Sequence, residues 1–548
     1  MGTTPADRHP VTILARLARI GAACLALPLT AATVAPAPIH DQASANRIHA
    51  DVQFLASDLL EGRDTGSRGH AIAAQYVAAQ FTSLGLTPGG TGGGWLVEVP
   101  LRRATHAGVP QIRLLTAGKT RMLGAAEIGL LPALTQQRRA IDAGLVFVGH
   151  GVSDRELGID EYAGLDVRGK IVVMLRGTPG SLPGDVAAHL ELTKDEVAAS
   201  KGAVGIAELN LIGPNPAAGV SKRPVVDWVD RAGMTGNAGS RIASLVLSPA
   251  LSRQLFKGAP RTFDQVGAAE GGPNAGFALP ARLAIADDSV WQDFTSPEVV
   301  ALLPGGDPRL KSELVVLMGH LDHIGITPGA ALGADAINNG ALDNAAGVAT
   351  LLEVARTFTN SGRAPRRSLL FIANTGEELG MLGSDFLITH SAYPTRQIVA
   401  AVNLDMPVLL YDFTDVVAYG AERSTAGRII AGAAAGLSVK LSPDPLPQEN
   451  LFIRSDHYRF VLRGIPAVLL TTGPENGGKP AWARYLRTTY HSPRDDLTQP
   501  INWPAGARYA ALNYRITRAL ADADSRPRWY RGDYFGDVFA PGEPRAER

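Results

Sequence analysis

Apolar positions in this chain repeat with two different periods, and the period changes along its length. From Arg68 to Leu84 they fall at Ile72, Tyr76, Val77, Phe81 and Leu84, a helical spacing that stops at Gly85 with Pro88 just beyond. A Gly-rich stretch, Pro88 to Gly94, then leads into short apolar segments from Trp95 onward that read as strands or loops. After about residue 285 the chain alternates strand, loop and helix. Leu314–Met318, Ser368–Ala373, Ile398–Leu404 and Pro466–Leu470 are runs of buried-strand type. Between and after them Val348, Leu351, Leu352, Ala355 and Phe358 share one helical face, Leu379–Thr389 reads as a helix, and Tyr509, Leu512, Ile516 and Leu520 stripe a closing helix. Such alternation predicts an α/β fold, a sheet with helices on both faces.

Composition narrows the possible roles. With 548 residues, 45% of them apolar and 19% charged, the chain has the makeup of a large globular protein. Its 52 basic and 52 acidic side chains cancel, so it lacks the cationic footprint of a nucleic-acid or acidic-membrane binder. The one cysteine, Cys24, falls in a stretch where Arg8, Arg16 and Arg19 precede an uncharged run from Ile20 to Ala37 that ends in small residues at Ala31, Ala32, Ala35 and Ala37. That is the layout of a secretory signal peptide, here residues 1–37. It predicts a secreted or periplasmic protein with no stable membrane association after cleavage. The mature chain would have no cysteine, and its stability would rest on packing and metal.

Between these regions, from about Ile141, the apolar runs shorten and are bounded by glycine: Gly144–Val148, Ile171–Leu175 and Gly202–Ala207. They read as buried strands. The succession Tyr162-Ala163-Gly164-Leu165, Lys170-Ile171-Val172-Val173 and Lys201-Gly202-Ala203 resembles a protease-associated domain, a β-rich module inserted in secreted peptidases.

In open α/β sheets functional groups gather past the carboxyl ends of strands. The strand ending at Met318 runs into Gly319-His320-Leu321-Asp322-His323, and Asp343 stands directly before a helix in Gly340-Ala341-Leu342-Asp343-Asn344. The strand ending at Ala373 opens into Thr375-Gly376-Glu377-Glu378, the next ends in Asn403-Leu404-Asp405, and a late loop offers Thr489-Tyr490-His491-Ser492-Pro493. Carboxylates beside apolar strand ends are costly to bury unless paired or bound to a cation. Two histidines and three carboxylates suit two zinc ions, each taking one imidazole and one terminal carboxylate while the third carboxylate bridges. Such a pair polarises a carbonyl and activates water, which is the chemistry of acyl-bond hydrolysis. Asp322, two residues after His320 on the same side of an extended segment, can accept the imidazole's second N–H. His323 reads as a loop or pocket residue. Ser455-Asp456-His457 lacks a nucleophile elbow and reads as structural.

His320-x-Asp322, Asp343-Asn344-Ala345-Ala346-Gly347, Glu377-Glu378, Asp405 and Tyr490-His491-Ser492-Pro493 stand in the order and approximate spacing of the secreted co-catalytic dizinc aminopeptidases, relatives of glutamate carboxypeptidase. The segment Glu61-Gly62-Arg63-Asp64-Thr65-Gly66-Ser67 is similar to that family's opening segment, and the resemblance spans roughly Ile48 to Ala521. It implies a three-layer α/β/α sandwich around a mixed, mostly parallel central sheet, plus the inserted protease-associated domain. The peptidase domain would comprise 46–135 and 285–522, the insertion 136–284, and 523–548 a surface tail. It further implies two zinc ions per chain, with Asp343 bridging, His320 and Asp405 on one ion, Glu378 and His491 on the other, and Glu377 as general base. The implied activity is removal of N-terminal residues from peptides. A carboxypeptidase, for which Arg454 could grip a terminal carboxylate, a receptor-like protein without catalysis, and a single-zinc glutamine cyclase are the competing expectations.

Overall fold

The computed structural model describes residues 42–180, 182–209, 217, 219–268 and 275–548. The expected signal peptide lies outside these residues. Among them no helix is long and apolar enough to cross a membrane.

One sheet is mixed, with four parallel strands at its centre. Leu314–His320 pairs in parallel with Ser368–Asn374 on one side and Ile398–Leu404 on the other, and Ala467–Thr472 continues beyond the latter. Antiparallel strands flank this core. Phe277–Leu303 joins Ser368–Asn374 and then Leu96–His106, while Asp415–Tyr419 joins Ala467–Thr472 at the opposite side. Successive side chains of a strand point to opposite faces. In the strand 314–320, Val315 and Leu317 enter one core, which also holds Ile48, Val77, Leu351 and Leu512, whereas Leu314, Val316 and Met318 enter another with Leu387, Tyr458 and Val461. Helices thus cover both faces, as the alternating pattern predicts.

The helices end where local chemistry ends them. Ser67 accepts the His70 N–H at the start of Arg68–Ser83, and that helix gives way to Gly85 at φ +70°, a left-handed conformation that glycine adopts without penalty. Asn502 caps the 20-residue closing helix Trp503–Asp522 through the Ala505 N–H.

A second sheet contains Arg138–Phe147, Ile171–Leu175, Gly205–Leu209 and Ala243–Leu247, all joined in parallel. Its residues divide in the same way: Ile171, Val173 and Leu175 face one core, Val172 and Met174 the other. Three earlier strands also belong to it. Gln111–Thr116 pairs with Phe277–Leu303 and with Lys119–Met122, and Ile128–Leu130 pairs with Ala243–Leu247. The 27-residue strand Phe277–Leu303 is shared, its first half in this sheet and its second in the other.

The segment 523–548, expected on the surface, is instead packed. Trp529 is 3% exposed and Phe535 fully buried in the core with Tyr458 and Phe452, and the Trp529 indole donates to the Gly464 carbonyl. Its arginine, proline and glycine content conceals two aromatic anchors.

Candidate metal centre

Strand register brings the first donors together. His320 ends its strand level with Asn374, and Met318 is level with Asn403, so Asp405 emerges beside His320. The His320 Nε2 lies 3.1 Å from Asp405 Oδ1 and 3.1 Å from Asp343 Oδ1. On the other side of Asp343, the His491 Nε2 lies 3.2 Å from Asp343 Oδ2 and 3.1 Å from Glu378 Oε2. One carboxylate therefore faces two histidine–carboxylate pairs with its two oxygens. All five residues expected as ligands meet here, together with Glu377, one of whose oxygens falls in a group with His320 and Glu378.

The turn Ala341–Ala345 that presents Asp343 leads directly into helix Ala346–Asn360. The Asp343–Asn344 peptide is cis. The Asn344 side chain donates to the Leu404 carbonyl at 2.8 Å and accepts the Met406 N–H at 3.3 Å, tying this turn to both neighbours of Asp405. Gly347 permits the approach, because a β-carbon there would lie 2.3 Å from the Leu404 carbonyl oxygen.

Asp322 differs from its expected use. Its carboxylate is 4.0 Å from His320 Nδ1, outside hydrogen-bond reach, while its backbone carbonyl is 3.1 Å away. A carbonyl can only accept, so Nδ1 carries the proton and Nε2 is free to face the carboxylates. The Asp322 carboxylate instead accepts from the Thr65 hydroxyl at 2.9 Å and from the backbone N–H groups of Glu377 and Glu378 at 3.3 and 3.4 Å. It braces the loop that carries the two glutamates. The expectation failed because spacing along an extended segment cannot tell a side-chain acceptor from the main-chain one beside it.

His323 is more intimate with the site than its reading as a loop residue suggests. It is fully buried, with Nδ1 2.6 Å from Glu378 Oε1 and its ring edge-on to His491. Ser455 donates to Asp405 Oδ2 at 2.5 Å and accepts from the Asn403 amide, which makes it a support for Asp405. His457 is packed against Phe452, and burial pushes its pKa down to about 3, so it stays neutral. Arg454 is half-exposed and pairs with Glu449.

Two groups went unnoticed in the sequence. Arg63, 1% exposed, donates to the carbonyls of Leu321 at 2.9 Å, Asn339 at 2.6 Å and Gly340 at 3.1 Å, and also to that of Leu55. Burial brings its pKa down to about 10 against the opposing pull of Asp343, Asp495, Asp322 and Glu378. Asp495, fully buried, receives the backbone N–H groups of Leu342 and Asp343. Arg63 lies inside the segment Glu61–Ser67, and Asp495 stands two residues beyond the segment Thr489–Pro493.

Electrostatics follow from crowding. Burial disfavours the imidazolium of His491, but Glu378 and Asp343 outweigh it and lift its pKa to about 10. For Asp343 burial raises the carboxyl, and hydrogen bonds to His320 and His491 more than reverse that, holding it well below the usual range. Glu377 goes the other way: burial, then the charges of Asp405 and Glu378, push it well above the usual range against the pull of His320. The donor set also fits zinc by spacing. Atoms 3.1–3.2 Å apart resemble adjacent corners of a tetrahedron with arms of ~2.0–2.1 Å, whose edges are about 3.3 Å.

The model of peptidase family M28 matches residues 298–517. A probable leucine aminopeptidase 2 of Aspergillus oryzae is 28% identical over 230 residues, 38% of this chain and 42% of its own length. The leupeptin-inactivating enzyme 1 of Streptomyces exfoliatus is 28% identical over 278 residues, 46% of this chain and 56% of its own. The chain thus spans about half the length of these curated relatives. Among solved structures, an aminopeptidase from Aneurinibacillus sp. strain AM-1 aligns over 87% of this chain and 93% of its own, at 20% identity and a TM-score of 0.48. A zinc aminopeptidase from Bacillus subtilis aligns over 86% and 93%, at 18% identity and a TM-score of 0.41. Residues 298–517, which hold all the donors described above, are thus similar to peptidase family M28.

Proposed function

We propose that this protein is a dizinc exopeptidase that hydrolyses N-terminal residues from peptides. The observation that carries the reading is the placement of Asp343, whose two oxygens each lie 3.1–3.2 Å from a different histidine that has a further carboxylate beside it. His320 and Asp405 would hold one zinc, His491 and Glu378 the other, with Asp343 between. Bound there, two zinc ions supply Lewis acidity and lower the pKa of water.

Glu377 is assigned the proton transfers. Its carboxyl takes a proton from the attacking water and gives it to the departing amine. Thr65 and Asp322 set its backbone, so the carboxyl approaches from a fixed direction.

Two features favour an aminopeptidase over a carboxypeptidase. The site is rich in carboxylates that can accept ammonium hydrogens. Arg63 directs its donors at backbone carbonyls and Arg454 pairs with Glu449, so neither is aimed at a terminal carboxylate. The name of the Aspergillus relative points the same way. Residues 1–37 are read as an export signal and 136–284 as an inserted protease-associated module.

Removing metal with a chelator is expected to abolish release of amino acids from amino-acyl chromogenic substrates, and added zinc to restore it. Full activity in a rigorously metal-free preparation refutes the proposal. Cleavage confined to N-blocked substrates refutes the aminopeptidase assignment and leaves the metal centre standing.

A further inference from the structure

Bridging demands more of Asp343 than holding a charge, because its two oxygens must bisect two groups at once. A small rotation of its backbone would improve one side at the expense of the other. What fixes that backbone is Asp495. Three consecutive N–H groups end on this residue: Ala341 donates to its main-chain carbonyl at 2.9 Å, Leu342 to Oδ1 at 3.0 Å, and Asp343 to Oδ2 at 2.9 Å. The Tyr485 hydroxyl donates to the same Oδ2 at 3.0 Å. Successive N–H groups converging on one anion form a rigid concavity, and a charged acceptor strengthens each bond.

Asp495 also belongs to the loop that supplies His491. Its own N–H returns to the Ser492 carbonyl at 3.0 Å, closing the turn directly after that histidine. From the other side Arg63 holds the carbonyls of Asn339 and Gly340. The turn 339–343 is therefore gripped by its carbonyls at one end and by its N–H groups at the other. Building on the dizinc reading, we infer that Asp495, steadied by Tyr485, is the positioning residue of the centre: it locks the bridging carboxylate and His491 into one geometry. Asp495 touches no donor atom of the centre among its described hydrogen bonds; it acts through the main chain.

The test is Asp495→Asn in the full-length, metal-loaded protein, with Tyr485→Phe as a milder second variant. An amide keeps one acceptor oxygen and turns an N–H toward a backbone donor, so the grip is lost without loss of volume. Zinc affinity, measured by competition with a chelator, is expected to fall roughly 10- to 100-fold for Asp495→Asn, the range typical of lost support around ligands. kcat is expected to fall while KM for an amino-acyl substrate stays near its starting value, and the absorption spectrum of the cobalt-substituted protein to change. Tyr485→Phe should shift the same readouts in the same direction by less, and decides the matter if Asp495→Asn does not fold. Wild-type zinc affinity, cobalt spectrum and kcat in the folded variant overturn the inference, even if its thermal stability drops. A wild-type protein that takes up fewer than two metals overturns the dizinc reading itself.

Discussion

Replacing Glu377 by glutamine is expected to cut turnover by roughly 10²- to 10⁴-fold, the usual contribution of a general base, while leaving zinc content unchanged. The change is nearly isosteric and keeps the backbone N–H that donates to Asp322. It removes only the ability to accept and return a proton. The neighbouring Glu378→Gln makes the contrast, because Glu378 lies 3.1 Å from His491 and 2.6 Å from His323 within the donor cluster. That variant is expected to lose metal first and activity as a consequence. Metal analysis beside single-turnover kinetics separates the two. If Glu377→Gln sheds zinc and Glu378→Gln retains it, the roles of the glutamates have been exchanged.

Arg63→Met is expected to have the largest effect on stability, about 3–5 kcal/mol, as for other buried charges stripped from their partners. The guanidinium lies under the site, and its carbonyl acceptors come from three separate segments. Methionine fills much of the volume but leaves those carbonyls without donors, each costing about 1–3 kcal/mol, though not additively. The lost charge also removes a cation that attracts Asp343, Asp495, Asp322 and Glu378. Arg63→Lys should recover only part of the loss, since one ammonium cannot span a planar fork. Denaturant titration of the zinc-loaded forms measures this, and a difference under about 1 kcal/mol would sink the claim that Arg63 organises the site.

Most of the candidate metal donors were legible in the sequence because they follow an apolar run that reads as a buried strand or precede a helix. His320 and Asp405 are the clearest cases: Leu314–Met318 and Ile398–Leu404 announce the strands, and the parallel register places their ends side by side. His491 was legible only through its motif, since it sits in a turn at φ +50°, which no periodicity marks. Arg63 and Asp495 escaped because arginine and aspartate are by default surface residues. Their burial rests on main-chain carbonyls and N–H groups, and a side-chain pattern does not display those. Asp322 was located correctly but given the wrong bond for the same reason.

The strand Phe277–Leu303 was missed as a unit. Its first half alternates, with Leu279, Ala281, Leu283 and Ile285 buried, while its end, Val299–Ala301, is a continuous apolar run. A change of pattern in mid-strand reads as two elements. Here it marks passage from a stretch of strand exposed on one face to one covered on both.

That shared strand limits how the molecule can be taken apart. At ~3.3 Å per residue its 27 residues have a contour length of about 90 Å, one ribbon serving two sheets. Val225–Trp228, inside the segment 136–284, also hydrogen-bonds to Leu96–His106 of the other sheet. Cutting out 136–284 would sever the ribbon near its start and unzip a neighbour of that sheet. A minimal catalyst made from this chain would have to carry a substitute for that neighbour, and any swivelling of the appended sheet would strain the same backbone that borders the strand leading to Glu377.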